Sequence, residues 1–512
     1  MTEDEYAALT QACDRLLRAP DTSLGRICIP LLHVINEHTG WLAQYEPLFR
    51  RGAASLDWRS RCEFLDIPRV ALRAARALRR SVSSGGQDFS RFRGTDVLLV
   101  SHLGNPAHLD WADDFYFGSL QQLLQERGVR VTLALIDHRP PGSRPLEIPG
   151  RLARTRILLP RTLAPSVEAD IWYYCGAVRR QLRRSAQELG NDSLEGRLAK
   201  LASRHALSAG TAENLRLHAV LSALCRSLEP RIVITTYEGD ACERIVFHAA
   251  RCANRRPVCV GYQHTTLLAR AHAIRRSVAA AGIDCDPDVV LTSGDASHSL
   301  FERSPGLKGV HLIQYGSHRR IEPALLSATD ERAQLCLVLP DADDRECAFL
   351  FEFALACARR LPQMQFVLRP HPAISLDSLR GRYAVLRDLP PNVTLSVGNA
   401  LPFDMARARY CLYRGSSAVI HAVLAGIKPF YVARPGELSL DPLFALQGWR
   451  ESVSSAEEFV GLLSAAKVSA ESAETARRQC NTMVSPVRPA ALDELLSRGH
   501  SSLPGTCSCS AA

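Results

Sequence analysis

The apolar run Gln365-Phe366-Val367-Leu368 stops at Arg369-Pro370-His371-Pro372, which sets a cation and an imidazole at the tip of a strand. In open α/β sheets, ligands bind outside the carboxyl ends of the strands. Each proline fixes its own φ and biases the preceding residue toward extended geometry, so the exit is stiff. Arg369 offers a fork of donors for a phosphate, and His371 donates from a ring nitrogen, so the chemistry of this turn is anion binding. Four further strand ends carry groups able to do chemistry. In Tyr237-Glu238-Gly239, after Ile232-Val233-Ile234, a carboxylate stands beside a glycine that lets a ligand approach, which suits Glu238 to a general-base role. The alternative is that Glu238 caps the helix expected from about Asp240. Gln263 and His264, just past Val258-Cys259-Val260-Gly261, are placed to hydrogen-bond a sugar or a diphosphate, or else belong to the scaffold. Arg414-Gly415-Ser416-Ser417 leads from a strand into a helix and supplies more donors than a serine cap requires, as a phosphate cradle would. Ser101-His102-Leu103-Gly104-Asn105 follows the first strand, and His102, Asn105 and Gly239 are the groups expected on the acceptor side.

The elements that must position these residues follow from the hydropathy pattern. Residues 1–90 lack strand patterns and read as a helical segment broken at Pro20, Pro30 and Pro47, closed by a Ser/Gly-rich linker over 81–87. From Asp96 short β-branched runs alternate with helical stretches, the rhythm of βαβ units. A first Rossmann-like domain is expected over 91–325, interrupted by a basic helical insertion at about 171–228. A second is expected over 326–470, with closing helices and a disordered tail over 471–512. The fold class expected is α/β, two doubly wound domains facing a cleft with an N-terminal helical segment.

Composition narrows the function classes. Of 512 residues 46% are apolar and 22% charged, an ordinary balance for a soluble globular chain. The longest apolar runs are too short to span a bilayer, and the acidic start Met1-Thr2-Glu3-Asp4-Glu5 does not read as a signal peptide, so a cytoplasmic location is expected. Sixteen cysteines stand singly with no Cys-x-x-Cys pair, which argues against a zinc site or a disulfide framework. Lys and Arg together number 62 against 53 for Asp and Glu, an excess that fits anionic partners. A basic helix over Arg69–Arg80 is suited either to an anionic membrane surface or to a solvated face. No pair of histidines at helical spacing and no paired-aspartate motif on a short strand is present, so metal-independent chemistry is expected and no cofactor is called for.

Tyr237-Glu238-Gly239, Gly261-Tyr262-Gln263-His264, Arg369-Pro370-His371-Pro372 and Arg414-Gly415-Ser416-Ser417, in this order, resemble the motifs of bacterial surface-carbohydrate (O-antigen or capsule) glycosyltransferases of GT-B type. They are also similar to those of the bacterial sialyltransferases and Kdo transferases, which use CMP-activated sugars. The resemblance covers about 96–435. It implies that Glu238 deprotonates an acceptor hydroxyl, that His371 contacts the donor phosphate and assists departure of CMP, and that Ser416 and Ser417 bind that phosphate. Arg369, Pro372, Arg414, Gly415, Gln263 and His264 complete the donor side. Tyr237 stands at the first position of the family's acidic pair, which leaves open whether Glu238 is the base or its neighbour. His421 stands where many GT-B proteins carry a glutamate that holds the donor ribose, which favours a CMP-linked donor over a UDP- or GDP-sugar.

The partners so implied are a nucleotide sugar, CMP-linked, and a glycan or lipid-linked glycan acceptor, with no nucleic acid. Peripheral contact with the inner membrane surface is compatible with the basic helix. Two other readings remain: a CDP-glycerol-type polyol-phosphate transferase, and a non-catalytic carbohydrate-assembly protein of the same fold.

Overall fold

The computed structural model describes residues 1–50, 88–272, 284–321, 334–465 and 470–500, apart from positions 20, 35–36, 140–142, 145, 254–255, 373, 375 and 447, and adds Leu72 and Ala75. The linker over 81–87 and the C-terminal tail lie outside the described residues, as does the basic helix over 69–80 but for those two positions.

Two parallel sheets form the frame. The first holds seven strands in the order β3-β2-β1-β4-β5-β6-β7: β1 (Val97–Leu103), β2 (Val131–Asp137), β3 (Arg156–Leu158), β4 (Ile232–Thr236), β5 (Val258–Tyr262), β6 (Val289–Thr292) and β7 (His311–Gln314). The second holds six in the order β10-β9-β8-β11-β12-β13: β8 (Leu335–Leu339), β9 (Gln365–Leu368), β10 (Val393–Leu395), β11 (Tyr410–Tyr413), β12 (Lys428–Val432) and β13 (Glu451–Val453). Every strand pair in both sheets is parallel. Central strands such as β4 and β8 are buried along their whole length, as expected of parallel sheets covered on both faces. The expected α/β class, two doubly wound Rossmann-like domains of GT-B-like arrangement with helices at the N-terminus, is the observed one.

In both sheets the chain adds strands on one side of its first strand and then crosses to the other. The crossing lies between β1 and β4 in the first sheet and between β8 and β11 in the second. Loops leaving these adjacent strands diverge, and the gap between them is where a doubly wound sheet binds ligands.

The basic insertion is three helices, Pro165–Glu188, Leu194–His205 and Ala209–Leu228, and begins earlier than the sequence reading placed it. The N-terminal helix Glu3–Arg18 opens on a capping box between Thr2 and Glu5. It packs Leu9, Cys13, Leu16 and Leu17 into one core with Leu182, Leu198 and Ala202 of the insertion. The chain's last helices join both domains. Ala470–Met483 buries Ala476 and Cys480 against the second sheet, while Ala491–His500 buries Leu492 and Leu495 against the first. Among the described residues, no helix is long and apolar enough to cross a membrane.

Candidate active site

A cleft of about 1100 Å³ lies between the two domains, lined by residues of both. It is at the upper end of the range for small-molecule sites and roomy enough for two substrates. One wall is built on the crossing point of the first sheet: Glu238 follows β4, His264 follows β5, and Asn105 and Tyr116 follow β1. The opposite wall is built on the second sheet: Asp341 follows β8, Arg369-Pro370-His371-Pro372 follow β9, and Gly415, Ser416 and Ser417 follow β11. Arg319, from the segment after β7, His38 of the N-terminal segment and His421 also line it.

Glu238 does not cap the following helix. That helix, Ala241–Arg251, is opened by a capping box between Asp240 and Glu243. The Glu243 carboxylate accepts the backbone N–H groups of Glu238 (2.9 Å), Gly239 (2.7 Å) and Asp240 (3.0 Å). The Glu238 side chain is thereby left to the cleft, where its Oε1 lies 3.0 Å from His264 Nε2. Burial works against a charge on Glu238. The hydrogen bond from His264 and the fields of His264, Arg319 and His102 outweigh it and hold the carboxyl at about 2. Burial lowers His264 below its usual range despite Glu238, so the ring is neutral near pH 7 and donates from Nε2. Behind them, burial and the Glu238 charge raise Asp240, and burial with the Asp240 and Glu238 charges raises Glu243. Of the three carboxyl groups on this turn, Glu238 is the one held below its usual range. His264 Nδ1 has no hydrogen-bond partner among the described residues.

The loop carrying the aromatic part of this wall is tied down by Asp114. Its buried carboxylate accepts from the Ser101 hydroxyl at 2.9 Å and from the N–H groups of Tyr116 and Phe117 at 2.8 Å. The Tyr116 ring meets that of His264 edge-on at 5.2 Å, and the Arg319 guanidinium lies 5.0 Å from the centre of Phe115. Arg319 thus stands in the cleft held by aromatic faces.

On the opposite wall His371 is pushed below its usual range by burial and by Arg319, against the pull of Asp341. A neutral ring carries one N–H donor and one acceptor nitrogen. His421 is held at about 4 by burial and Arg320. Ser416 is buried and Ser417 exposed, and Ser417 makes no capping bond to the helix Ala418–Leu424 that follows, so the plain serine-cap alternative does not describe this turn. Gly415 has φ +70°, and a Cβ there would run into the Asp341 carboxylate. Asp341 in turn meets His38 of the N-terminal segment, Oδ2 to Nε2 2.8 Å.

Several residues assigned to the site by sequence have other work in the fold. Arg414 is 1% exposed and its guanidinium is bound by Glu346 Oε2 (2.6 Å), Glu437 Oε2 (2.7 Å) and the Tyr431 hydroxyl (3.0 Å). It braces the wall from beneath and offers nothing to the cleft. Arg369 lines the cleft, but its guanidinium is held by Asp404 Oδ2 (2.5 Å), Ser396 Oγ (3.2 Å) and the Asn399 carbonyl (3.0 Å). Gln263 is fully buried; its amide oxygen accepts the Ser293 N–H at 2.9 Å and its amide nitrogen donates to the Thr265 carbonyl. Gly239 lies behind Glu238, its N–H committed to Glu243. His102 lies within β1, not in a loop. It is bonded to His138 (2.7 Å) and Thr236 (2.9 Å) and held neutral at about 3 by burial and by His138. Tyr237 turns into the core, where Gly261 lies flat against its ring: a Cβ at position 261 would strike it. Arg319, His38 and Asp341 were not singled out by sequence, since no motif marks them.

No family model and no curated protein matches the chain. Solved structures similar to it include the glycosyltransferase SnogD from Streptomyces nogalater, at 16% identity over 78% of this chain and 99% of that one, with a TM-score of 0.42. The spinosyn rhamnosyltransferase SpnG complexed with thymidine diphosphate is 16% identical over 78% and 99%, with a TM-score of 0.44. UDP-GlcNAc 2-epimerase from Neisseria meningitidis bound to UDP-GlcNAc is 13% identical over 78% and 98%, with a TM-score of 0.40. Likeness of this degree fixes neither a reaction nor any residue's role.

Proposed function

We propose that the chain is a glycosyltransferase that moves a sugar from a nucleotide-activated donor to an acceptor hydroxyl in the cleft between its two domains. One observation carries this reading: a charged carboxylate, Glu238, and a set of phosphate donors, Arg319, His371, Ser416 and Ser417, line one cavity from different elements. Transfer needs both. As the glycosidic bond breaks, charge grows on the leaving phosphate, and donors fixed in advance stabilise it without reorganising. The acceptor hydroxyl loses its proton to Glu238 as its oxygen bonds the sugar, and the leaving phosphate takes the pair of electrons from the broken bond. A bound acceptor displaces water from Glu238, and that loss of hydration raises its proton affinity toward what a base requires.

The favoured donor is a CMP-linked ulosonic acid such as Kdo or a sialic-acid-like sugar, and the favoured acceptor a surface glycan or its lipid-linked precursor. The motif order supports both, and the imidazole of His421 where a ribose-holding carboxylate would sit is consistent with the nucleotide. The chemistry proceeds without a metal ion, in the cytoplasm or at the inner membrane surface.

A second assignment of the base has its own observation. With Glu238 held at about 2 and His264 Nδ1 unpartnered among the described residues, His264 is the base if an acceptor reaches Nδ1, and Glu238 then orients the ring.

The purified chain is to be incubated with CMP-, CDP-, UDP- and GDP-linked donors, following nucleotide release and binding. CMP-sugar turnover that His371→Ala abolishes, with the fold intact, is the expected result. Turnover of CDP-glycerol alone would replace the sugar by a polyol phosphate. Absence of both turnover and nucleotide binding would leave a non-catalytic assembly protein.

A further inference from the structure

The helices Ala209–Leu228 and Ala241–Arg251 pack against each other beside the first sheet. His218 lies on one helix. His248 lies in the last turn of the other, with Cys252 four residues on at its end, so the two share a face. His218 Nε2 is 2.9 Å from His248 Nδ1, and Cys252 Sγ is 3.7 Å from the same Nδ1. One ligand atom from each residue falls within 4.8 Å of the other two. Glu238 precedes the N-terminus of the second helix and this group sits at its C-terminus, so it lies outside the cleft's lining.

We infer that His218, His248 and Cys252 form a binding site for a single thiophilic divalent ion such as Zn²⁺, clipping the two helices together. A tetrahedral zinc with bonds of about 2.05 Å to nitrogen and 2.3 Å to sulfur sets its ligands about 3.3 Å (N to N) and 3.6 Å (N to S) apart. The His248–Cys252 spacing of 3.7 Å is already there, the two imidazoles need to part by a few tenths of an ångström, and the His218–Cys252 edge, within 4.8 Å, closes to about 3.6 Å on binding. Two imidazoles and one thiolate form a donor set that selects zinc, cobalt(II) or copper over magnesium and calcium, which take oxygen. All three side chains are half-buried, so an ion can enter and a water can take the fourth position. Binding replaces the thiol proton by the metal–sulfur bond and releases that proton to solvent. Without metal the same two rings share a hydrogen bond that joins the helices. The absence of any Cys-x-x-Cys pair hides such a site in the sequence, since its ligands come from positions thirty residues apart.

The test is titration of the reduced, chelator-stripped full chain with CoCl₂ and ZnCl₂. One equivalent of Co²⁺ is expected to give a thiolate-to-cobalt charge-transfer band and tetrahedral visible bands, both displaced by one equivalent of Zn²⁺. Cys252→Ser should abolish the charge-transfer band, and His218→Gln should weaken Zn²⁺ binding at least tenfold, with circular dichroism showing the fold unchanged in each. Metal should raise the Tm of the parent chain and leave that of Cys252→Ser unmoved. Absence of stoichiometric binding overturns the inference. So does a cobalt spectrum that Cys252→Ser leaves intact, because another of the chain's cysteines then holds the ion.

Discussion

Glu238→Gln separates binding from chemistry. The amide keeps the shape of the carboxyl group and can still accept the His264 Nε2–H, so the 3.0 Å contact and the turn behind it stay in place. What is lost is the ability to take a proton. Removing a positioned base costs about 10²–10⁴ in kcat, which at about 1.4 kcal/mol per tenfold is about 3–5 kcal/mol of transition-state stabilisation. The donor should bind as well as before or more tightly, because the substitution removes a negative charge from the cleft and leaves Arg319, His371, Ser416 and Ser417 untouched. Nucleotide release gives kcat, and calorimetry with CMP gives affinity. Full activity in Glu238→Gln would refute its role as base, and a loss of affinity matching the loss of turnover would place it on the donor instead. The pH profile sharpens the result. With the carboxyl held at about 2, Glu238 acting as base gives kcat/KM no acid limb above about pH 4. A limb below 6.5 that His264→Asn removes would transfer the role to His264 Nδ1, with Glu238 as the group that orients it.

Arg319→Met should weaken CMP binding by about 10–100-fold, the worth of one charge-assisted hydrogen bond of about 1.5–3 kcal/mol. An unchanged affinity would remove Arg319 from the phosphate site. Arg414→Met should leave nucleotide affinity of the folded protein unchanged and lower its Tm, because it takes the more buried of two shared guanidinium groups from Glu346 and Glu437. Arg434 also reaches both carboxylates, at 3.3 and 2.9 Å, so the loss is expected at or below the roughly 3 kcal/mol end of the range for breaking a buried pair. His38→Asn should lower stability in a pH-dependent way. Burial opposes the His38 charge, but Asp341, with Glu346 and Asp343 behind it, raises the imidazole above 6.5. The pair's contribution is therefore fully present below pH 6.5 and fades as pH rises through the raised value. The Tm difference between parent and variant should shrink from pH 6 to pH 8.5, and a difference that grows over that range contradicts the assignment.

How far the chain could be read in advance follows from the range of the interactions involved. β4, β5, β8, β9, β11 and β12 announce themselves as short apolar runs because both their faces are buried. β3, β10 and β13, and the partly exposed β7, are three or four residues long at or near sheet edges and carry no such run. Motifs at strand tips were legible because a parallel sheet always turns its carboxyl ends to the ligand. Arg414 and Gln263 were misread for a common reason: residue type declares a donor, while the groups that consume it lie far along the chain. Glu346 is 68 residues from Arg414, and Ser293 is 30 from Gln263. Arg319 and His38 escaped notice because neither stands at a strand tip and only the folded chain brings them to the cleft.

The two crossing points explain why the cleft gathers these groups. Where strand addition reverses, neighbouring loops run to opposite faces and leave a crevice, and each crevice here is flanked by a first strand and its returning neighbour. Glu238 rides on the returning strand of the first sheet, Gly415-Ser416-Ser417 on that of the second, and Asp341 on the second sheet's first strand. Neither crevice alone holds both the proposed base and the proposed phosphate-binding turn. Their union depends on elements outside the two sheets. His38 reaches Asp341 from the N-terminal segment, and the final helices pack Ala470–Met483 on the second sheet and Ala491–His500 on the first. Asp341 is also the group against which Gly415 is packed, so the N-terminal segment bears on the loop that carries Ser416 and Ser417. The helical segment ahead of the first strand is therefore part of the cleft's construction and does more than cover the sheet that follows it.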